Sequence, residues 1–520
     1  MDNSSATHSS DRPHVSRRHL LRLAAAAAAT TGATALLAAC GGTTETAPAA
    51  TSAATTAPAA ANPTQAPAGA GTAVATSGTT ATTAPATAPT TASAAAPTTV
   101  AANKAAVTLN FQHFFTGVLW SGSFQYLTQQ FEKEHPDIKW TGAAVPYGDM
   151  MPKLITLSAG GQPPDGTSLD NTVIQSVVLR GLLKELDPYI ATDKMDLSDF
   201  YQARLESYAS KGKHYALPID MGSGAIYYNK DMFDAAGLKY PDPKWTYDDI
   251  LATAQKLTLD KNGKHPNEAG FSLDDVKQWG FQFRSEPYRL YNTYHGYNGA
   301  EFFDKDLTKT RFNEPEGIAA LQWFADLRNK HHVSPSPAQD QAMRTGGLQP
   351  FTSGGFAMEH TWIGLIAYLH EKGVKVTNYD VVNLPETPTA AQEVGGQGFV
   401  VLKGAKQPDA AWTWIKYMVG DEVQKYLGVN GVWFPSRKTM AQYGVPSDKK
   451  PDHFMQAFYD QVEKHGLAAW WFVPGYTEWE KTMTNELDGL WTGSRDAKAT
   501  AQALQQKLDP LVANWQKAIQ

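Results

Sequence analysis

No Phe, Tyr or Trp occurs before Phe111, although the chain contains 21 Phe, 21 Tyr and 14 Trp. A segment without large apolar side chains cannot offset the entropy of ordering its backbone. The first hundred residues are therefore excluded as a packed domain. Cysteine is almost as scarce: Cys40 is the only one in 520 residues. That excludes an intramolecular disulfide and any multi-cysteine metal site. Basic excess is missing too; the net charge is −6, which gives no support for a nucleic-acid partner.

Catalytic signatures are also lacking. There is no GxxxxGKS/T phosphate loop, no GxGxxG after a strand, no GxSxG elbow and no HExxH. His331 and His332 are adjacent rather than at ligand spacing on a helix, and read as a solvated pair. In DKNGKHPNE, 260–268, Gly263 falls at position 4 and Lys264 at position 5. A calcium-binding EF-hand loop needs Gly at 6, and an acid would stand at 5, so this is read as a polar turn. No metal and no cofactor are expected. A pair of carboxylates for glycosidic cleavage stays open, because sequence separation does not set distance in space.

What is present falls into a head and a body. The head begins with MDNSSATHSSDRPHVSRRHLLRL, carrying Arg12, Arg17, Arg18 and Arg22, followed by LAAAAAATTGATALLAA. A basic stretch before a weakly apolar one is the layout of a secretory signal. The uncharged run Leu23–Ala39 has 17 residues, mostly Ala and Thr. It is too short and too weakly apolar for a good membrane span. SRRHLLR resembles the twin-arginine export motif, with Arg17 and Arg18 as the pair and Leu20 where Phe is more usual. LAAC resembles the bacterial lipobox: Leu37, small Ala38 and Ala39, then Cys40 and Gly41. This implies a signal peptide over 1–39 and an acylated Cys40 as the mature N-terminus, held in the membrane by its lipid.

Residues 40–104 continue in Ala, Thr, Pro, Ser and Gly, with no charge between Thr46 and Asn103. Prolines at 48, 58, 63, 67, 85, 89 and 97 and many β-branched Thr oppose a helix. The segment reads as a disordered tether, spanning on the order of 45 Å as a coil or about 190 Å if fully polyproline-like.

The body alternates strand and helix signals. Val107, Leu109 and Phe111 alternate with polar residues; Phe124, Leu127 and Phe131 recur at helical spacing and stop before Pro136. Residues 138–145 look like a second strand. Thr246 and Asp249 suggest a capping box before Ile250, Ala254 and Leu257. Further helices are marked by Ala320, Trp323, Phe324 and Leu327 and by Ala411, Trp414, Ile415 and Met418. Short apolar strands lie at 225–228, 379–384 and 398–402. This pattern predicts α/β layers with largely parallel sheets, and about 415 residues predict two lobes. Aromatics cluster in Gly/Pro-rich loops such as HFFTGVLW, EHTWIG, NGVWFPSR and AAWWFVPGYTEW. Many of these rings belong to cores; in such loops they also suit stacking on sugar rings.

Several blocks in order, LTQQFEKEHPDIKW, MMPKLITLSAGGQPPDG, GKHYALPIDMGSGAIYYNKDMFDAAGL, FTSGGFAMEHTW, GGQGFVVLKGAKQPDAAWTWIKYM and GVWFPSRKT, resemble the sugar-binding solute-binding proteins of ABC importers. The resemblance implies a periplasmic-binding-protein (Venus-flytrap) fold: two α/β lobes joined by three crossings and closing on a ligand. The lobes would be 105–221 plus 395–430 and 222–394 plus 431–520. It further implies ligand contacts at Tyr147, Asp149, Asp170, Asn171, Asp220, Trp362, Gly395, Gly396, Arg437, Tyr476 and Trp479. Phe114, Tyr294, Trp433 and Trp471 are weaker candidates.

The implied function is a lipid-anchored, monomeric receptor on the extracytoplasmic membrane face. It would pass a mono- or oligosaccharide to permease subunits served by a separate ATPase, and would not itself be an enzyme. Three alternatives stand beside it. A glycerol-phosphate receptor would bring Arg437, Arg284 or Arg289 together. A surface glycan hydrolase would turn its glycan over. A sensor would signal to a membrane kinase.

Overall fold

The computed structural model describes residues 106–114, 118–283, 285–344, 349–371, 373–467 and 475–519. Arg17, Arg18, Cys40, the tether, Arg284 and Trp471 lie outside them.

In chain order the main elements begin with β1 (Val107–His113), α1 (Val118–Glu134), β2 (Ile138–Ala144), α2 (Tyr147–Ala159), β3 (Gly166–Asp170) and β4 (Ala216–Pro218). Next come β5 (Gly224–Asn229), α3 (Tyr247–Leu257), β6 (Leu259–Asp260), β7 (Val276–Phe283), α4 (Pro287–Asn298), α5 (Pro315–Asn329), β8 (Phe356–Trp362) and β9 (Tyr379–Val382). The chain finishes with β10 (Gln392–Glu393), β11 (Gln397–Val401), α6 (Pro408–Met418), α7 (Asp421–Val429), β12 (Gly466–Leu467), α8 (Tyr476–Trp491) and α9 (Ala497–Ile519).

Two five-stranded sheets result, one ordered β2-β1-β3-β11-β4 and the other β9-β5-β8-β7-β6. Each has its own core. Phe111, Phe124, Phe131, Phe399 and Trp414 pack around the first. Phe281, Phe283, Phe324, Trp479 and Trp491 pack around the second. The chain is two-lobed and mixed α/β.

The helices form where the pattern places them. Thr246 caps α3 reciprocally: its Oγ1 accepts from the Asp249 N–H at 3.1 Å, and Asp249 accepts from the Thr246 N–H at 2.8 Å. Ile250, Ala254 and Leu257 are then buried on one face. Phe124, Leu127 and Phe131 are likewise buried under α1.

The expectation of largely parallel sheets needs correction. β1 pairs parallel with β2 and β3, and β8 with β7, but β11 is antiparallel to β3 and β4, and β5 is antiparallel to β8 and β9. The cause is connectivity. β5 and β11 start at the passages between the sheets and run outward, whereas β3, β4, β7 and β8 run toward them. Carboxyl ends of strands from both sheets therefore face the same region, the usual place for a ligand in α/β proteins.

Two smaller points differ in detail from the sequence expectation. His331 and His332 are half-buried rather than solvated; His331 contacts Gln255, and His332 Nδ1 lies 3.0 Å from the Arg328 carbonyl. In the 260–268 turn, the buried Asp260 carboxylate accepts N–H bonds from Asn262, Lys264 and Ser272. Among the described residues, no helix is long and apolar enough to cross a membrane.

Candidate functional site

The chain passes from β4 to β5 through Ile219–Ser223 and returns from β10 to β11 through Val394–Gly396. These passages touch. The Gly222 N–H donates to the Gly395 carbonyl at 2.7 Å, and Gly395 returns the bond at 2.9 Å. A Cβ on Gly222 would sit 2.7 Å from the Gly395 carbonyl carbon, so this approach requires glycine. A third segment, Trp433–Arg437, lies alongside. The Met221 N–H donates to the Phe434 carbonyl at 2.8 Å, and Ser436 Oγ donates to the Pro218 carbonyl at 2.7 Å.

On the first-sheet side the floor is polar and organised by Arg204, which has no solvent exposure. Its guanidinium donates to the carbonyls of Asp220 and Gln397 and to Ser207 Oγ. It also lies 3.5 Å from the Asp220 carboxylate. That carboxylate accepts the Gln397 N–H at 2.6 Å. Burial pushes the Asp220 carboxyl up to about 7, against the pull of Arg204. Asp170, at the end of β3, accepts from Thr172 N–H and Oγ1 and from Gln397 Nε2. Its pKa is also raised by burial, with these bonds and Arg204 opposing. Asn171 ties the same loop to the return passage, its Nδ2 donating to the Val394 carbonyl at 3.0 Å.

On the second-sheet side Trp362 ends β8, half-buried, with the Arg289 guanidinium over its ring at 5.7 Å. His360 lies two residues earlier, so it shares Trp362's face of the strand. His360 is 1% exposed, and its Nε2 has no hydrogen-bond partner. Burial, then the Arg289 charge, lowers its pKa to about 3, so the ring is neutral. Glu393 is 6% exposed. Burial raises it to about 7; Arg289 opposes, while Glu286 and Asp170 add to the rise. Tyr476 donates its hydroxyl to Glu480 at 2.7 Å. Glu480 is also raised, by burial first, against that bond and with Glu286 and Asp170 adding. Asp170, at the end of a first-sheet strand, thus acts electrostatically on Glu393 in β10 and Glu480 in α8. The Gly475 N–H donates to Ser176 Oγ at 3.1 Å, a direct bond between the two sides.

The structure brings Asp170, Asn171, Asp220, Gly395, Gly396, Trp362 and Tyr476 into this region. Tyr147 and Asp149 lie exposed at the start of α2, where Tyr147 meets Phe114 edge-to-face at 5.3 Å. Four candidates are placed elsewhere. Trp479 is fully buried against Phe302 and Phe303, and Tyr294 against Phe302 and Phe312. Trp433 packs on Phe124 in the first core. These rings fill hydrophobic cores rather than face a cleft. Arg437 is taken up by Asp199, at 2.7 Å, and Asp421. Sequence reasoning missed Arg204, His360, Glu393, Glu480 and Gln397. Only His360 carried a usable signal, its spacing of two from Trp362.

The profile of the bacterial extracellular solute-binding protein family matches residues 117–425. The chain belongs to that family. The arabinooligosaccharide-binding protein of Bacillus subtilis is 25% identical over 310 residues, 57% of this chain and 66% of that protein. An ABC substrate-binding protein from Listeria monocytogenes, solved in complex with cycloalternan, is 26% identical. It covers 78% of this chain and 99% of its own, with a TM-score of 0.66. The sugar-binding protein MalE of Xanthomonas citri shares the fold at 20% identity, covering 79% and 99%, also with a TM-score of 0.66. Solute-binding proteins of ABC importers capture solutes outside the cytoplasm, sugars among them, and deliver them to permeases. The chain is a binding protein, not an enzyme.

Proposed function

We propose that this solute-binding protein is a lipid-anchored receptor for a neutral polyhydroxylated solute, a mono- or oligosaccharide, which it presents to an ABC permease. The observation that carries the reading is the charge of the region between the sheets. Asp170, Asp220, Glu393 and Glu480 gather there with the Trp362 ring, supplying acceptors for hydroxyls and a flat apolar face. The nearby cations that a phosphate ligand would need already have partners within the protein. Arg204 is held by Asp220 and backbone carbonyls, Arg437 by Asp199 and Asp421, and Arg289 lies over Trp362. This favours sugar over glycerol phosphate. The names of the relatives point the same way.

Ligand contacts from both sides at once favour the closed arrangement through differential affinity. Cys40 supplies the anchor and residues 40–104 the reach to a permease. The deciding experiment is a thermal-shift panel of sugars, polyols and glycerol phosphates. A ligand at a hundredfold excess over its Kd stabilises by about 2.7 kcal/mol. A shift with a carbohydrate and none with glycerol phosphates supports the reading. A shift with glycerol phosphate alone overturns it.

A further inference from the structure

Gln397 begins β11 directly opposite Asp170, the last residue of β3, in the antiparallel pairing. Residues opposite one another in such a pair carry their side chains on the same face of the sheet. The Gln397 Nε2 donates to Asp170 Oδ2 at 2.9 Å, and its main-chain N–H donates to Asp220 Oδ1 at 2.6 Å. One residue thus touches two of the carboxylates that offer acceptors to a ligand. The second approach depends on Gly396, since a Cβ there would lie 2.3 Å from Asp220 Oδ1.

The two oxygens of Asp170 are served from different places. Oδ1 accepts from the Thr172 N–H at 3.0 Å and from Thr172 Oγ1 at 2.7 Å, both in its own loop. Among the described residues, the one hydrogen bond to Oδ2 comes from Gln397. A carboxylate oxygen has two lone-pair directions, so Oδ2 keeps one for a further donor. Gln397 is itself 6% exposed, and its Oε1 is buried without a partner. The amide stands this way round because the reverse would set Oε1 against the carboxylate, acceptor against acceptor.

The charges around Asp170 come from several elements. Asp220 on the outgoing passage, Glu393 in β10 and Glu480 in α8 act on it with its own sign, and the buried Tyr208 lies near. Arg204 opposes them, but its N–H groups are spent on the carbonyls of Asp220 and Gln397 and on Ser207 and Tyr208. Direct donors therefore hold Asp170 in its ionised form, and hydrogen bonds to the charged form favour it. Thr172 and Gln397 are those donors.

We propose that Gln397 is a positioning residue that orients Asp170 and keeps its Oδ2 an acceptor for a hydroxyl of the bound sugar. The proposal rests on the sugar reading above and deepens it by naming what sets that acceptor in place.

The first test needs no ligand. Thermal melts of the purified full-length protein are recorded from about pH 4 to about pH 8 for the parent, Gln397→Leu, Asp170→Asn and the double variant. Gln397→Leu keeps the main-chain bond to Asp220 and removes the side-chain donor. Asp170 then releases its proton at a higher pH in the fold, while the unfolded chain is unchanged. The loss of melting temperature is expected to be smallest at the acid end and to widen as pH rises. In the Asp170→Asn background the same substitution is expected to give a loss that does not vary with pH. A loss that is flat with pH in both backgrounds overturns the proposal, because a packing role does not follow the ionisation of Asp170.

The second test is calorimetric titration with mono- and trisaccharides of glucose, galactose, mannose, xylose and arabinose. Gln397→Leu is expected to weaken whichever of them binds the parent by at least about tenfold near pH 6, with part of the affinity recovered toward about pH 8. Unchanged affinity, or a loss equal at both pH values, overturns the proposal and leaves the sugar reading standing. Binding of none of these sugars to the parent, with the ligand-free coupling present, overturns the sugar reading while the pairing of Gln397 with Asp170 stands.

Discussion

Gly222 and Gly395 exchange two backbone hydrogen bonds, at 2.7 and 2.9 Å, where the outgoing and returning passages meet. No side chain takes part, and none would fit at Gly222, whereas a Cβ on Gly395 would meet only Glu393 Oε1, at 3.7 Å. The contact sets the spacing of the passages and so the position of everything lining the region between the sheets.

The first prediction follows directly. Gly222→Ala puts a carbon 2.7 Å from backbone that cannot swing aside. Overpacking of this kind typically costs about 1–3 kcal/mol. Thermal unfolding should show a lower midpoint, with ligand affinity falling as well because both lining walls shift. An unchanged midpoint would mean that the passages separate easily.

Trp362 and Trp479 separate binding from packing. Trp362→Ala should weaken carbohydrate binding by more than about tenfold with a small change in melting temperature, since the ring is only half-buried. Trp479→Ala removes a fully buried ring and should cost about 3–5 kcal/mol of stability. Calorimetric titration and thermal melts on both variants check the pair. An unchanged dissociation constant for Trp362→Ala would remove that ring from the site.

Glu393 makes stability depend on pH. Its carboxyl is raised to about 7 in the fold, against about 4.3 unfolded. Between those values the folded protein holds a proton that the unfolded chain has lost. Stability is therefore greatest below the unfolded value and falls as pH rises through the window toward 7. The loss is at most about 1.4 kcal/mol for each pH unit crossed. Glu393→Gln should reduce the slope of the melting-temperature profile across that window in the ligand-free protein, Asp220, also raised to about 7, keeping its own share. A variant whose profile follows the parent's would show that Glu393 is ionised throughout.

Cys40 and the arginine pair can be tested in cells. Cys40→Ala should move the protein from the membrane fraction to the soluble exported fraction and abolish incorporation of labelled fatty acid. Replacing Arg17 and Arg18 together with Lys should block export. Retention of the Cys40→Ala protein in the membrane would remove lipid as the anchor.

The fold was legible because its signals are local. The spacing of Phe124, Leu127 and Phe131, the Thr246–Asp249 cap and the apolar run at 225–228 each occupy a few residues, and each became the element expected. Strand direction was not legible, because it depends on which end of a sheet the returning chain enters. The site divides in the same way. Trp362 and Asp170 stand at strand ends, which sequence order can locate. Trp479, Tyr294 and Trp433 misled because an aromatic next to Gly or Pro looks the same whether its ring turns toward a cleft or a core. Arg204, Glu393 and Glu480 stayed hidden because their importance lies in partners far away in the chain: Arg204 reaches the Gln397 carbonyl, 193 positions on.

The reach of Arg204 has a mechanical consequence. One rigid guanidinium grips the carbonyls of Asp220 and Gln397, and so clamps the outgoing and returning passages to the same lobe. Two belts pinned by one bolt cannot slide past each other at the bolt. Any swing of one lobe against the other would have to be taken up on the far side of it, in the short spans through Gly222 and Gly395. Asp170 and Asp220, both hydrogen-bonded to Gln397, would then travel as one piece, with their spacing set in advance of any such movement.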